Sequence, residues 1–221
     1  MIENPIVCGL TSIGLDHENI LGKTKEIIAK NKAGIIKKNS VAIACKSQPR
    51  EILEIFQDEC NLVGSDFILA DDENSVMLNA ELGIHGEHQR SNASLAMSIC
   101  QEWSCRMGYG EISQDIMRKG LKEAYWPGRC QTVYYKEKRF IFDGAHTVES
   151  IQKLIEFLER DLTCSKRFPS PYFRILVFNC TSDRDYRKLL QPLIDFHHRQ
   201  PFEKIIICPS KIGNEKSFNS K

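Results

Sequence analysis

Apolar and polar positions along the chain alternate between strand-like and helix-like spacing. Residues 5–15 open on a short unbroken apolar run and predict a buried strand leading into a loop. Residues 24–36 predict a helix, and the short β-branched run at 40–45 predicts a second strand. Pro49 suits a first helical position. Ile52, Leu53, Ile55 and Phe56 then share one side of a helix of about four turns. Residues 67–70 and 77–84 read as strands around an acidic turn, Asp71-Asp72-Glu73-Asn74. The most regular helix signal covers 88–107, with Asn92, Leu95, Ala96, Ile99, Cys100 and Trp103 on one 3.6-residue stripe. Another helix is expected over 112–124.

Trp126-Pro127-Gly128 then interrupts the pattern. A hairpin follows, with strands at 132–135 and 139–142 around the charged turn Lys136-Glu137-Lys138. Beyond it come a helix at 148–160, a strand at 173–179, a helix at 184–196, a strand at 204–208 and a polar, frayed tail at 213–221. Strands alternating with helices predict an α/β fold with mostly parallel sheets. The Pro-Gly break divides it into domains at 1–125 and 126–221. The second is thin and ends just after a strand, so both domains are expected to be incomplete.

Composition narrows the function classes without choosing one. The chain has 221 residues, 42% hydrophobic and 27% charged, with a net charge of +1. That balance gives no argument for nucleic acid or an anionic membrane surface. No apolar run approaches the ~18 residues of a membrane-spanning helix. The start, Met1-Ile2-Glu3-Asn4-Pro5, lacks the features of a secretory signal. Nine cysteines are scattered without a Cys-x-x-Cys pair. Several, including Cys8, Cys45, Cys180 and Cys208, sit in apolar runs, as buried free thiols do. A reducing, cytoplasmic setting is expected.

Candidate chemistry sits at element ends. His17 follows the first strand, the usual place for a ligand site in open α/β sheets, and Lys32 lies near the end of the next helix. The plain reading is a loop-capping histidine and a solvated lysine favoured by the helix dipole. The functional reading is a reactive lysine. Lys30, Lys37 and Lys38 favour its neutral amine by like-charge repulsion, and a neutral amine can take up carbon dioxide as a carbamate. A carbamate offers oxygens suited to Mg²⁺, whereas imidazole is not a natural Mg²⁺ ligand. Arg129 follows Pro-Gly and could hold phosphate oxygens bidentately. Asp143 ends a strand and could accept ribose hydroxyls. His146 precedes a helix. The alternatives are a surface arginine, a turn aspartate and a capping histidine. Asn92 on an apolar stripe is either a structural amide or one facing a nucleotide. Thr181-Ser182-Asp183-Arg184-Asp185 resembles a helix N-cap signal. No Gly-x-x-x-x-Gly-Lys-Ser/Thr phosphate loop occurs among the 221 residues.

Taken together, Thr11-Ser12-Ile13-Gly14-Leu15-Asp16-His17, Lys32-Ala33-Gly34-Ile35, His88-Gln89-Arg90-Ser91-Asn92-Ala93, Trp126-Pro127-Gly128-Arg129, Phe142-Asp143-Gly144-Ala145-His146 and Phe178-Asn179-Cys180-Thr181-Ser182-Asp183-Arg184-Asp185 resemble the folylpolyglutamate synthases of eukaryotic type, in the Mur ligase superfamily. The resemblance implies the central part of such an enzyme: an incomplete Mur-ligase-like ATPase domain, then an incomplete smaller Rossmann-like domain. The phosphate loop, a glutamate metal ligand and most of the folate pocket are expected upstream of Met1, and closing strands downstream of Lys221. The implied reaction uses ATP to phosphorylate the γ-carboxylate of a folate glutamate tail, which L-glutamate then attacks. The resemblance makes His17 a magnesium ligand and Lys32 the carbamylated lysine. It makes Asn92, Arg129 and Asp143 contacts to ATP, and puts His146 near the phosphate or incoming glutamate. It implies ATP and Mg²⁺, with room for a monovalent cation. The partners are reduced folates and L-glutamate, with no nucleic acid or membrane, for a monomer that is cytoplasmic or, in another form, mitochondrial. Two other readings stay open: an inactive fragment that at most binds nucleotide or a partner, and a dihydrofolate synthase.

Overall fold

The computed structural model describes residues 2–16, 18–71, 80–164, 173–180 and 185–208. Two compact units divide the chain, residues 1–142 and 143–221. The hairpin, expected at the start of the second domain, groups with the first unit.

The first unit is built on a parallel sheet of β1 (Val7–Leu10), β2 (Val41–Ala44) and β3 (Asp66–Leu69), in that order. Between β1 and β2 run α1 (Glu18–Leu21) and α2 (Lys25–Ala33), and between β2 and β3 runs α3 (Arg50–Val63). Every residue of β2 is buried, because the sheet is covered on both faces. Ala42 and Ala44 face α2 and α3, in a core with Leu10, Ile28, Ile52 and Phe56. Val41 and Ile43 face the other way, against Leu95 and Ile99 of α4 (His88–Arg106).

Local chemistry sets the helix ends. Thr24 caps α2 by accepting the Ile27 N–H, and Ser113 does the same for Ile116 at α5 (Gln114–Glu123). Pro49 proves to be the N-cap of α3 rather than its first helical residue, and Gly64 ends that helix at φ +74°. At the amino ends of the strands, burial pushes the Cys8 and Cys60 thiols up, so both stay protonated and uncharged.

Two expectations change. Residues 77–79 lie outside the described residues, and 80–84 form no strand. Their backbone bonds to a helix end instead: Gly83 N–H donates to Leu121 O at 2.9 Å, and Glu81 pairs with Lys122 at 2.7 Å. The acidic turn falls, after Asp71, outside the described residues too. The buried face of α4 is also rotated from the stripe expected. Ala93, Ser94, Leu95 and Met97 are buried, whereas Ala96, Cys100 and Trp103 are exposed. Leu95 and Ile99 meet the sheet, while Ala93 and Met97 meet Leu82, Met117 and Leu121. One helix serves two contacts, so its buried positions do not follow a single stripe.

Gly83 is where these pieces meet most closely. A Cβ there would collide with Ala124 O and stand 2.5 Å from Lys122 O, both backbone atoms. Gly83→Ala should therefore cost about 1–3 kcal/mol, read as a lower urea midpoint at unchanged slope.

The hairpin of β4 (Gln131–Tyr135) and β5 (Lys138–Phe142) is antiparallel, and its two-residue turn puts Lys136 and Glu137 at φ 45° and 60°. In the second unit, α6 (Val148–Cys164) and α7 (Tyr186–Arg199) pack on a parallel pair, β6 (Ile175–Phe178) and β7 (Lys204–Ile207). Ile151, Ile155, Phe178, Leu189, Leu193 and Phe196 form its core. The tail at 213–221 lies outside the described residues.

Candidate active site

Parallel strands send their carboxyl ends to one edge, where open α/β sheets hold ligands. In the first unit that edge is knitted by side chains the sequence reading did not single out. Gln48, 8% exposed, accepts the Ile13 N–H at 3.0 Å and donates to Cys45 O at 3.4 Å. It thereby joins the loops after β1 and β2. Ser47 and Ser91 share a hydrogen bond of 3.1 Å, and Cys45 Sγ donates to Ser91 O at 3.8 Å. These bonds bring the first turn of α4 to the same edge. Asn92 comes next in that turn, half-buried, its amide donating to Gln89 Oε1 at 3.0 Å. A lone glutamine or serine after a strand is too common a pattern to have marked Gln48 or Ser47 in advance.

Lys32 sits in the last turn of α2. At 100° per residue it falls between Ile28 and Ala29, both 0% exposed, on the buried side of the helix. It is half-buried, and its amine makes no hydrogen bond or ion pair with any described residue. A buried-side lysine normally needs a partner or an outlet. The chain after α2 is at the amino end of the sheet, since Cys8 Sγ donates to Ile35 O at 3.4 Å. Helical side chains lean toward the helix N-terminus, which carries the Lys32 amine back toward the carboxyl edge. Asn31 donates to Leu21 O at 2.7 Å, tying the end of α2 to the end of α1, the single turn that begins directly after His17. His17 itself lies outside the described residues. Lys37 donates to Gly34 O at 2.5 Å, where a cation suits the helix C-terminus.

Arg129 occupies the loop between α5 and β4. Gly128 enters it at φ +74°, and its N–H donates to Gln131 Oε1 at 3.0 Å. Gln131 donates in turn to Tyr125 Oη at 2.6 Å. The loop is braced while Arg129 stays exposed, with no ion pair to a described residue.

Asp143 and His146 form the turn that opens the second unit. Asp143 Oδ1 accepts the Ala145 N–H at 2.7 Å, an Asx turn. Thr147 Oγ1 accepts the Ser150 N–H at 3.1 Å, capping α6. His146 is exposed, with Nδ1 2.7 Å from Gly144 O. A carbonyl only accepts, so Nδ1 holds the proton, and in the neutral ring Nε2 is the acceptor. Within the last motif the described Asp185 caps α7, accepting the Arg187 and Lys188 N–H groups at 3.2 and 3.4 Å, and 181–184 lie outside the described residues.

Among the described residues no three His, Cys, Asp or Glu side chains gather into a group that could hold a metal. A lysine amine is not itself a magnesium ligand, and Lys32 would offer oxygens to the ion only as a carbamate.

The sequence matches one group of enzymes along most of its length. The mitochondrial folylpolyglutamate synthase of Bos taurus is 34% identical over 95% of this chain and 39% of its own length. That of Homo sapiens is 35% identical over 99% and 42%. This chain is homologous to the folylpolyglutamate synthases. The dihydrofolate synthase/folylpolyglutamate synthase of Bacillus subtilis is 30% identical, over 89% and 48%. The chain thus spans about two fifths to half the length of the curated relatives it matches. No family profile matches it. Among solved structures, a folylpolyglutamate synthase–AMPPCP–folate complex superposes with TM-score 0.76 at 21% identity, over 96% of this chain and 53% of that one. The Mycobacterium tuberculosis synthase complexed with ADP gives 0.66 at 23%, over 91% and 46%. These likenesses show the expected Mur-ligase-like α/β fold.

Proposed function

We propose that this chain forms part of an ATP-dependent ligase that adds L-glutamate to the γ-carboxylate of a reduced folate's glutamate tail. The observation that carries the reading is 35% identity to the human synthase over 99% of the chain. In the reaction the carboxylate attacks the γ-phosphorus of ATP, giving an acyl phosphate and ADP. The glutamate amine then attacks the acyl carbon, the amide forms, and phosphate leaves. Arg129, exposed and without an ion pair to a described residue, is the group to hold phosphate oxygens bidentately. Asn92 supplies an amide to the nucleotide, and Asp143 a carboxylate oxygen to its ribose. His146 Nε2 stands as an acceptor for the proton of the incoming amine or as a contact to phosphate. Lys32, as a carbamate, and His17 are the proposed holders of magnesium, which would neutralise phosphate charge when bound.

The proposal includes the dihydrofolate synthase reading, because the Bacillus subtilis relative is named for both activities. It also includes a mitochondrial form beside the cytoplasmic one, since the bovine and human relatives are named mitochondrial. We propose further that it acts as a monomer.

A chimaera tests it: residues 1–221 replace the matched span of the human synthase. The chimaera should extend a tetrahydrofolate tail with labelled glutamate. Within it, Arg129→Ala should raise KM for ATP at least tenfold, about 1.4 kcal/mol, and move the melting temperature little. A folded chimaera without ligation overturns the proposal. Equal losses of stability and activity in Arg129→Ala would make that residue structural.

A further inference from the structure

We propose that Ser150 is a positioning residue for His146. Its hydroxyl fixes the backbone of the turn before α6, so that the His146 ring keeps its proton on Nδ1 and presents a lone pair at Nε2.

Ser150 lies in the first turn of α6, half-buried, three residues after the cap Thr147. A helix start needs side-chain acceptors for its first backbone N–H groups. Thr147 Oγ1 supplies one, to the Ser150 N–H at 3.1 Å. Ser150 Oγ answers by accepting the Thr147 N–H at 2.9 Å. That reciprocal pair is a capping box, with serine where glutamate or glutamine usually stands. Capping is complete with those two bonds. Ser150 Oγ nevertheless reaches one residue further. It accepts the His146 N–H at 3.0 Å, while its own hydrogen goes to Thr147 O, also at 3.0 Å.

The extra bond falls where it governs the ring. His146 Nδ1 stands 2.7 Å from Gly144 O, two residues back. A bond over so short a span depends on the backbone angles of residues 145 and 146. Before His146 the chain is held by Asp143 Oδ1, which accepts the Ala145 N–H at 2.7 Å, and by Ala145 itself, packed against the core of the second unit. After His146 it is held by Ile151, 1% exposed in that core, whose N–H donates to Thr147 O at 3.0 Å. Between these anchors, Ser150 Oγ is the acceptor that fixes the His146 peptide. The ring is exposed, so packing does not orient it.

The consequence is a choice of tautomer. A neutral histidine in water favours the proton on Nε2. A carbonyl oxygen facing Nδ1 reverses that preference, because a carbonyl can only accept. The ring therefore offers an acceptor at Nε2 only while Gly144 O stays within reach. On the reading under Proposed function, in which Nε2 accepts from the incoming amine, a proton moved to Nε2 removes that acceptor.

The first measurement needs no catalysis. With the ring neutral, NMR of the ring nitrogens in the 221-residue chain should show His146 as Nδ1–H. Ser150→Ala should shift it toward Nε2–H. So should Ser150→Cys, which keeps the volume but accepts only weakly. Ser150→Thr keeps the hydroxyl and should keep Nδ1–H. Ile155→Val, in the same core and away from the turn, should lower stability without moving the tautomer. The second measurement uses the chimaera. There Ser150→Ala should lower kcat/KM for glutamate at least tenfold with KM for ATP unchanged, and Ser150→Thr should stay near the parent. A lost cap alone would lower the melting temperature and leave that split absent. Nδ1–H retained in a folded Ala or Cys variant would overturn the proposal, whether or not the chimaera ligates. So would a tautomer shift that leaves the kinetics of a ligating chimaera unchanged. A tautomer that follows the hydroxyl, beside a folded chimaera that does not ligate, would sustain the hold of Ser150 on His146 and overturn only the function reading.

Discussion

Purified alone and given ATP, magnesium, labelled glutamate and a tetrahydrofolate, the 221-residue chain will extend no tail. Phosphoryl transfer is mostly positioning and charge stabilisation, with the β- and γ-phosphates cradled by backbone N–H groups and a lysine. None of the chain's thirteen glycines lies in a Gly-x-x-x-x-Gly-Lys-Ser/Thr loop. The roles proposed for Asn92, Arg129 and Asp143 at the nucleotide, and for Lys32 at magnesium, include no such cradle. Losing that cradle removes several kcal/mol of transition-state stabilisation, at about 1.4 kcal/mol per tenfold in rate. A deficit of that size puts turnover below detection. The measurement is separation of folate products by tail length. Turnover that survives here and vanishes in Lys32→Ala would show that another loop holds the phosphates.

How far the fold could be read in advance depended on how many partners each element has. β2 is an unbroken apolar run because both its faces are covered, and a run of that kind is legible. The hairpin was legible because its turn is local. α4 misled because it serves the sheet with Leu95 and Ile99 and α5 with Ala93 and Met97, while Trp103 stays exposed. Half of the stripe read as its buried face, Ala96, Cys100 and Trp103, is exposed. Residues 80–84 misled because an apolar alternation states that a segment is half-buried, not what it bonds, and Gly83 bonds a helix end. At the candidate site, residue types came from motifs, but placement came from geometry. Helical spacing puts Lys32 between Ile28 and Ala29, but nothing in the sequence shows that its amine has no partner among the described residues, or that Gln48 joins two loops. Asp143 illustrates both readings at once. It makes the Asx turn of the plain reading, with one oxygen, and a carboxylate has further lone pairs to offer a ligand.

The largest stability effect is expected at Phe56. Its side chain is 0% exposed, in the core that α2 and α3 build against Leu10, Ala42 and Ala44. The small β2 residues leave the space that this ring fills, and its neighbours Ile28 and Ile52 are themselves 0% and 1% exposed, so the site has little freedom to collapse. Phe56→Ala removes the ring's transfer free energy and leaves a cavity, together about 3–5 kcal/mol. Against the ~5–15 kcal/mol that holds a domain folded, that is a large share. The urea midpoint should fall accordingly, and in the least stable case the variant will not fold. Phe56→Leu, which keeps most of the volume, should fold and cost less than half as much. Ile116→Ala is the control. Ile116 is 64% exposed on α5 and should change stability by no more than about 0.5 kcal/mol. If Phe56→Leu and Ile116→Ala shift the midpoint equally, the packing of α2 and α3 on the sheet does not hold this unit together as described.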